Sequence, residues 1–520
     1  MEPRLHQTLV FIILLIMLIL NISGCASRPT SAPPPTSTNT AAPTKTTAPT
    51  RTSSPIPKFT LLKTATPFPL PPITWNPGDR YFSLDGQPAF LFSRNPAGYT
   101  PQDWETLTGW ASQQDDQFVR LGTGSAAMGG YHGYGYTPQG GIQPDWSDNW
   151  EHLFDVAEAE GIYVMPIFSG WIEWNDTGYN TWKDNPFNSA NGGPAASPRE
   201  IFKKDSPTQQ LYLKWFKALL TRWSAHKNIV AWEAAEEINL INGISQSEGM
   251  YLAEQLVKTV HEADSMHRPA TVSLADYSSW SEFLRDPAFE FISLHPYALP
   301  DGKLDRYLLS EVRQYMDLYH KPVLIGESGL RAATPDSADG RITILPNALT
   351  GIQHAIWADL VSGAMNGRAL WWEDGYGIYF PALGMAWMQK YKAAEAPVIR
   401  FSSGVDRTGF KPVTAQSSAR VFGAAVGNES LVLGWYRDAA CEPPDWNTQP
   451  VVSKQIVILT VPGKAADWQV DFYNATTGTD IVSSAQVSRK PAPGLSGGGT
   501  LSLTLPDFSD DIAFKLYVKK

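Results

Sequence analysis

The regular alternation of short β-rich runs with amphipathic helical stretches constrains the fold of this 520-residue chain more than any other feature. Strand-like runs recur eight times between residues 89 and 392, and a helical stretch separates most neighbouring runs. This arrangement predicts an α/β fold, the (β/α)8 TIM barrel. No glycine-rich phosphate-binding loop follows the first run, which argues against a doubly wound sheet. The predicted strands are residues 89–93, 118–121, 162–168, 229–234, 270–274, 291–295, 322–327 and 368–372.

The helical stretches predict where the barrel ends. They cover residues 104–114, 146–160, 207–226, 246–263, 304–319 and 349–366, and a last helix is expected to end near Lys392. After about Pro397 the pattern changes to short alternating runs broken by Gly, Pro, Asp and Asn, which is typical of an antiparallel β-sandwich. We therefore predict the barrel at residues 74–396 and a C-terminal β-sandwich accessory domain at residues 397–520.

The N-terminus has the pattern of a bacterial export signal. Arg4 precedes an apolar run at residues 9–20, which is shorter than the ~20 residues of a membrane-spanning helix. The run leads into the sequence ISGC, which ends at Cys25 and resembles a lipobox. We expect residues 1–25 to be a lipoprotein signal with Cys25 as the lipidation site, although an ordinary signal peptide with a chance cysteine is an alternative.

The next segment, residues 26–73, is dominated by Pro, Thr, Ser and Ala and is too polar to bury a core, so we predict a disordered tether. With the lipidation site before it, this segment places the protein outside the cytoplasm, lipid-anchored to the bacterial cell envelope. The lipid is the only membrane contact that we expect.

Charge and cysteine content exclude several classes of function. A net charge of −10 argues against nucleic acid as a partner, because such proteins need a basic surface. Cys25 and Cys441 are the only cysteines, and the chain has no CxxC or HExxH motif. We therefore expect no metal, no other cofactor and no disulfide framework, and we expect a monomer with Cys441 as an inert thiol.

The ends of the predicted strands carry the candidate catalytic groups. Active sites of (β/α)8 barrels lie where the strands end, and cleavage of a glycosidic bond needs two carboxyl groups on either side of that bond. The fourth run ends in the sequence WEAAEE, and the seventh ends at Glu327. Besides Glu327, the candidate residues in or after these strands are Arg120, Glu236, Glu237, His295, Tyr297, Trp371 and Trp372.

These motifs resemble those of clan A glycoside hydrolases, especially the cellulase- and mannanase-like family-five group. The resemblance spans most of residues 79–395 and includes NPFN at 185–188, GGP at 192–194, RW at 222–223, HPY at 295–297 and GE at 326–327. It implies a retaining enzyme that cleaves β-linked poly- or oligosaccharides, with the two carboxyl groups ~5–5.5 Å apart.

The resemblance also implies a role for each candidate residue. Glu237 would be the acid/base and Glu327 the nucleophile, Arg120 would orient the nucleophile, and His295 and Tyr297 would position the carboxylates. Trp371 or Trp372 would form the platform on which the sugar stacks. The loop at residues 169–204 contributes Trp171 and Trp174 as an expected wall of the cleft, or else as aromatics that pack the loop itself.

One residue departs from the family pattern. The family has asparagine directly before the acid/base, where this chain has Glu236. An ionised glutamate accepts hydrogen bonds but cannot donate one to a sugar hydroxyl, and a third carboxylate raises the pKa of its neighbours. We expect Glu236 to contact substrate and, by the alternation of an extended strand, to point away from Glu237. Either the subsite is altered for an unusual sugar or catalysis is reduced.

Two other functions fit the same pattern. A non-catalytic carbohydrate-binding lipoprotein on a hydrolase-like barrel is favoured by Glu236, whereas Glu327 and the pair His295 and Tyr297 favour an enzyme. Alternatively, the sandwich is the sugar-binding module, through its tryptophans Trp435, Trp446 and Trp468. Sandwiches bury such residues routinely, which favours a structural role for that domain.

Overall fold

A small antiparallel sheet precedes the barrel. The computed structural model describes residues 70–95, 117–122, 134–168, 170–177, 181–298, 301–330, 333–335, 342–345, 347–371, 373, 384–447, 450–491 and 499–519. Its first strands are β1 (Ile73–Thr74), β2 (Phe82–Leu84) and β3 (Gln87–Ala89). The carbonyl of Pro72 accepts a hydrogen bond from the peptide N–H of Asp85, so the end of the predicted tether belongs to the folded body. The predicted signal peptide, most of the tether and the predicted helix at 104–114 lie outside the described residues.

Eight parallel strands form the barrel, which confirms the predicted fold class. In chain order they are β4 (Leu91–Arg94), β5 (Phe118–Gly122), β6 (Tyr163–Ile167), β7 (Trp232–Glu233), β8 (Ala270–Thr271), β9 (Ile292–Leu294), β10 (Val323–Ile325) and β13 (Asn366–Gly367). A parallel bridge between Ser273 and Ser293 joins β8 to β9. The peptide N–H of Met365 donates to the carbonyl of Val323 at 2.8 Å and so joins β13 to β10. The ring is closed because β13 also pairs with β4.

The eighth strand lies earlier than predicted. It consists of Asn366–Gly367, whereas the sequence pattern predicts a strand at 368–372. Arg368 has a left-handed backbone, with φ of 63°, which ends the extended conformation. Its peptide N–H donates to Asp359 at 2.8 Å. The described residues of the predicted strand, 368–371, therefore follow β13 and lie beyond its carboxyl end.

Helices surround the barrel and begin at side-chain caps that the sequence provides. Ser206 accepts a hydrogen bond from the N–H of Gln209, and Ser245 forms a capping box with Glu248. The helices are α1 (Pro144–Ala159), α2 (Pro207–Trp223), α3 (Gln246–Ala263), α4 (Ser281–Arg285), α5 (Leu304–Tyr319), α6 (Ala348–Ser362) and α7 (Gly384–Ser402). A two-stranded antiparallel ribbon, β11 (Ala333–Pro335) and β12 (Ile342–Ile344), lies between β10 and α6 in the chain. Within the described part of the chain, no helix has both the length and the apolar character needed to cross a membrane.

The last barrel helix runs further than the sequence pattern predicts. Helix α7 passes Lys392 and Pro397 and ends at Ser402, so the predicted boundary between residues 396 and 397 falls inside a helix. The carbonyl of Pro397 lies so close to Gly478 that any side chain at Gly478 would collide with it. Packing against the sandwich therefore accompanies the extension of α7, a contact that local sequence periodicity does not report.

The C-terminal domain is a nine-stranded antiparallel sheet folded on its own core. Its strands are β14 (Lys411–Ser417), β15 (Val421–Gly427), β16 (Leu431–Asp438), β17 (Ile456–Val461), β18 (Asp467–Asn474), β19 (Ile481–Ser488), β20 (Lys490–Pro491), β21 (Gly499–Thr504) and β22 (Asp511–Val518). Trp435, Trp446 and Trp468 are all buried. Because none of these rings presents an open face, the sandwich does not bind sugar through them.

Buried polar contacts attach the sandwich to the barrel. Arg437 donates to Asp305 of α5 at 2.6 Å, and His354 of α6 lies 3.0 Å from Asp510. Cys441 is buried beside this second pair. Burial raises the pKa of its thiol, as expected for an unreactive cysteine.

Candidate active site

The carboxyl ends of four barrel strands bring an arginine, two glutamates and a histidine together at one point. Arg120 lies within β5 and Glu233 ends β7. His295 directly follows β9, and Glu327 lies two residues beyond β10. Because parallel strands of a barrel end at the same face, residues far apart in the chain meet there. All four side chains are buried.

Arg120 is the centre of the cluster. Its Nε and Nη2 donate to the two carboxylate oxygens of Glu233 at 2.8 and 2.6 Å, and its Nη1 donates to Glu327 at 2.6 Å. Burial alone would lower the pKa of Arg120, but the charges of Glu233 and Glu327 outweigh burial and raise it. Arg120 is therefore a fixed cation that holds Glu327 in place, the position that the family resemblance implies.

Glu233 is the one residue of this cluster to which the sequence analysis assigned no role. It is fully buried and forms the bidentate ion pair with Arg120. A signal existed, because an arginine inside a buried strand needs a carboxylate partner. The sequence alone did not indicate which of the three glutamates after Trp232 supplies it.

Glu327 is held in its ionised form. Besides the bond from Arg120, its second oxygen accepts a hydrogen bond from the Tyr297 hydroxyl at 2.5 Å, and His295 Nδ1 lies 3.8 Å away. Burial tends to raise the pKa of this carboxyl, but His295, Arg120 and Tyr297 together lower it to about 2. An ionised carboxylate at this position has the properties of a nucleophile.

Glu237 has the opposite electrostatic character. Burial raises the pKa of its carboxyl, and a hydrogen bond with His295 Nδ1 at 2.9 Å offsets this only in part. Its backbone is left-handed, with φ of 45°, which costs a non-glycine residue about 1–3 kcal/mol and is typical of functional sites. Its peptide N–H donates to Ser273 Oγ at 3.1 Å, which helps to hold this conformation.

The spacing of the two carboxyl groups is short. One oxygen of Glu237, one of Glu327 and a ring nitrogen of His295 all lie within 4.8 Å of one another. A separation below this bound is compatible with the ~5–5.5 Å between the carboxyl groups of retaining glycosidases. The site therefore holds a protonatable carboxyl and an ionised carboxylate on either side of a small gap.

Glu236 lies in the same cluster, contrary to the expectation that it points away from Glu237. Its Oε1 accepts a hydrogen bond from Arg120 Nη2 at 3.1 Å, and its side chain is buried. The alternation of an extended strand does not apply here, because β7 ends at Glu233 and the chain then turns into the left-handed backbone of Glu237. Both glutamates consequently enter the site.

The predicted aromatic residues divide between the site and the core. Trp171 is half-buried, and its peptide N–H donates to the carbonyl of Glu236 at 3.2 Å, so it lies beside the carboxyl cluster. Trp371 is half-buried, and its peptide N–H donates to the carbonyl of Ser328, next to Glu327. Trp372 lies outside the described residues.

Trp174 packs among other aromatic side chains, which is the alternative to a cleft wall that the sequence left open. Its side chain is 1% exposed, and it contacts Tyr136, Trp182, Phe187 and Tyr212. Aromatic rings packed together in this way bury their faces against one another. No face of Trp174 is left for a sugar to stack on.

Two clusters of the described residues have ligand atoms close enough to hold a metal ion, namely the group of Glu237, His295 and Glu327 and the group of His354, Cys441 and Asp510. In the first, Arg120, Tyr297 and His295 already bond the two carboxyls. In the second, His354 and Cys441 both hydrogen-bond Asp510. Hydrogen bonding accounts for both arrangements without an ion.

Comparison with known proteins establishes a shared fold. No family model and no curated protein matches the chain. A solved glycoside hydrolase is 13% identical with a TM-score of 0.56, covering 88% of this chain and 98% of its own. A family-five glycoside hydrolase from Bacteroides vulgatus is 11% identical with a TM-score of 0.55, covering 87% of this chain and 95% of its own. At the level of the fold, these likenesses confirm the resemblance to family-five glycoside hydrolases.

Proposed function

We propose that this protein is a retaining glycoside hydrolase that cleaves β-linked poly- or oligosaccharides, with Glu327 as the nucleophile and Glu237 as the acid/base. One observation carries the proposal. Carboxyl oxygens of these two residues lie within 4.8 Å of each other, and their surroundings move their pKa values in opposite directions. A pair of carboxyls separated in this way can divide the acid and nucleophile roles.

In the first step, a carboxylate oxygen of Glu327 attacks the anomeric carbon while Glu237 gives its proton to the leaving glycosidic oxygen. The bond between carbon and the leaving oxygen breaks with its electron pair on that oxygen, and a glycosyl ester of Glu327 forms. Arg120 and Tyr297 keep Glu327 ionised and aimed before the attack.

In the second step, Glu237 is ionised and removes a proton from water. The water oxygen attacks the anomeric carbon, and the bond to Glu327 breaks with its electron pair on the carboxylate. Two displacements at one carbon return the original anomeric configuration. His295 bonds Glu237 at 2.9 Å and lies 3.8 Å from Glu327, so it holds both carboxyls through the cycle.

The decisive experiment is a kinetic comparison of substituted enzymes on aryl β-glycosides and a panel of β-glycans. We expect Glu327→Gln to abolish turnover and Glu237→Ala to spare only substrates whose leaving group needs no proton. Added azide should restore deglycosylation in Glu237→Ala. Glu262→Gln, a matched change on an exposed helix surface, should leave all rates unchanged.

Three outcomes would contradict this proposal. If Glu237→Ala keeps full activity while Glu236→Ala loses it, the acid/base is Glu236. If NMR of the first product shows the inverted anomer, the double displacement is wrong. If the wild-type protein binds β-glycan but never cleaves it, the chain is a carbohydrate-binding protein on a hydrolase-like barrel, the function that a third carboxyl group in the site would favour.

We also propose that the protein is held at the cell envelope by a lipid on Cys25. The support is the short apolar run that ends in a lipobox-like sequence, followed by a segment rich in Pro, Thr and Ser. A flexible spacer of that composition would hold a catalytic body away from the membrane, where a polymeric substrate can reach it.

A further inference from the structure

Four carboxyl groups share a single permanent cation in the described part of the site. Glu233, Glu236 and Glu327 each accept a hydrogen bond from Arg120, and Glu237 lies next to Glu327. If all four were ionised, four negative charges and the charge of Arg120 would leave a net charge of −3. A protonated His295 beside Glu237 would still leave −2. A buried charge without a partner costs several kcal/mol, and a carboxyl group in that position takes up a proton instead.

The contacts indicate which groups remain ionised. Glu233 forms a bidentate pair with Arg120, and Glu327 accepts hydrogen bonds from both Arg120 and Tyr297. Such charge-assisted pairs stabilise the ionised form. Glu236 accepts a hydrogen bond from Arg120 Nη2 at 3.1 Å, but the same nitrogen lies closer to Glu233, at 2.6 Å. The carboxyl groups of Glu236 and Glu327 are also within hydrogen-bonding reach of each other, and a hydrogen bond between two carboxyls requires a proton on one of them.

We propose that Glu236 works as a neutral carboxylic acid that donates a hydrogen bond to Glu327 and so positions the nucleophile. The assignment rests on the proposed function in one respect, namely that Glu327 is the nucleophile. A neutral acid can donate one hydrogen bond where an ionised glutamate cannot. In this site that bond goes to Glu327, so Glu236 acts on the nucleophile and does not replace the asparagine of the resembled family as a donor to the sugar.

The surroundings of Glu236 support this assignment. The charged or titratable groups that face it are Arg120 on β5, Glu233 and Glu237 on its own segment, and Glu327 beyond β10. Burial, followed by the nearby carboxylates, raises the pKa of Glu236, and Arg120 opposes this without reversing it. From the β6 side the contact is the backbone at Gly170, where an added Cβ would lie 3.1 Å from Glu236 Oε2.

Protonated Glu236 has a measurable effect on stability. Its pKa in the folded protein is raised, so the folded state binds one more proton than the unfolded state once the pH exceeds the ordinary value of 4.5. The free energy of unfolding therefore falls as the pH rises from that value through the folded pKa. Glutamine keeps the shape and the donor but has no proton to lose, so Glu236→Gln should be free of this loss.

The first test reads the proton directly. Infrared difference spectra of the full-length protein at neutral pH should show carbonyl absorption from neutral carboxylic acids. Glu236→Gln should remove one component of it and leave that of Glu237, whereas Glu262→Gln should change nothing. The Tm of Glu236→Gln should exceed that of the wild type by an amount that grows above pH 4.5. An unchanged carbonyl band in Glu236→Gln means that Glu236 is ionised and overturns the proposal.

The second test reads the positioning role through a pH profile. In a Glu237→Ala background, an aryl glycoside with a good leaving group needs no proton from residue 237, so the remaining alkaline loss of glycosylation rate reports Glu236. Adding Glu236→Gln should remove that loss, and adding Glu236→Leu, which has no donor, should lower the rate at every pH. If the alkaline loss survives in the Glu236→Gln background, the proposal is wrong. If the wild type hydrolyses no β-glycoside but the carbonyl band still depends on Glu236, the hydrolase proposal fails and the neutral Glu236 stands.

Discussion

Removing the Tyr297 hydroxyl tests how the nucleophile is kept ionised. Tyr297 donates to Glu327 at 2.5 Å inside a buried site, and a hydrogen bond to a charged group contributes about 1.5–3 kcal/mol. At 1.36 kcal/mol per pKa unit, Tyr297→Phe should raise the pKa of Glu327 by about 1–2 units. The pKa of Glu327 is about 2 in the wild type. The acid limb of the kcat/KM profile should therefore move up by the same number of units, to about pH 3–4.

The same change has a signed effect on stability. A carboxyl whose pKa is lowered on folding stabilises the protein above its ordinary pKa, and this contribution is lost as the pH falls through the folded value. Urea unfolding at neutral pH should therefore show Tyr297→Phe to be less stable by about 1.5–3 kcal/mol, with the difference vanishing near pH 2.

The matched control for this prediction is Tyr277→Phe. Tyr277 is also buried, but its hydroxyl donates to the backbone carbonyl of Ser293. Tyr277→Phe should therefore leave the acid limb of the kcat/KM profile unchanged. If Tyr297→Phe leaves the acid limb of kcat/KM unchanged, or if Tyr277→Phe moves it equally, the hydroxyl of Tyr297 does not hold Glu327 ionised and this reasoning is refuted.

Four further substitutions test other parts of the molecule. Cys25→Ser should release the protein from the membrane fraction; an unchanged fraction, with no lipid label on the wild type, would contradict lipidation. Trp174→Ala should cost about 3–5 kcal/mol in urea unfolding because it empties a packed aromatic core, whereas Trp371→Ala should raise KM with little loss of stability; equal effects of the two on KM would contradict their separation into core and cleft. Arg437→Met should cost about 3–5 kcal/mol, because it leaves the largely buried carboxylate of Asp305 without its partner; an unchanged Tm would show that this ion pair does not hold the domains together.

Local patterns in the sequence were sufficient to predict the fold class and the position of most strands and helices. The strands around Val323–Ile325 and Tyr163–Ile167 and the helix Gln246–Ala263 agree with the prediction because apolar periodicity and capping residues act within one element. The position of Glu327 directly after a buried run also placed it at the mouth of the barrel. These features depend on neighbours a few residues away in the chain.

Packing against distant elements explains the elements that were misplaced. The eighth strand ends at Gly367 because Arg368 takes a left-handed backbone and bonds Asp359. Helix α7 continues to Ser402 with the sandwich packed against Pro397. The sequence around Trp174 is rich in aromatic residues, as a loop that lines a sugar-binding cleft would be. Only its ring contacts with Tyr136 and Tyr212, which come from other segments, show that it belongs to the core.

The sequence by itself determined that two carboxyl-bearing strand ends would lie at one face of a barrel, because residue order and periodicity specify each strand and the fold brings the strand ends together. Only the tertiary structure decided which of the four carboxyl groups accept hydrogen bonds from Arg120. Glu233, Glu236 and Glu237 follow one another within a few residues, but β7 ends at Glu233 and the left-handed Glu237 reverses the expected alternation. Which of them pairs with Arg120, and which must carry a proton, depends on distances across the closed barrel that no local pattern encodes.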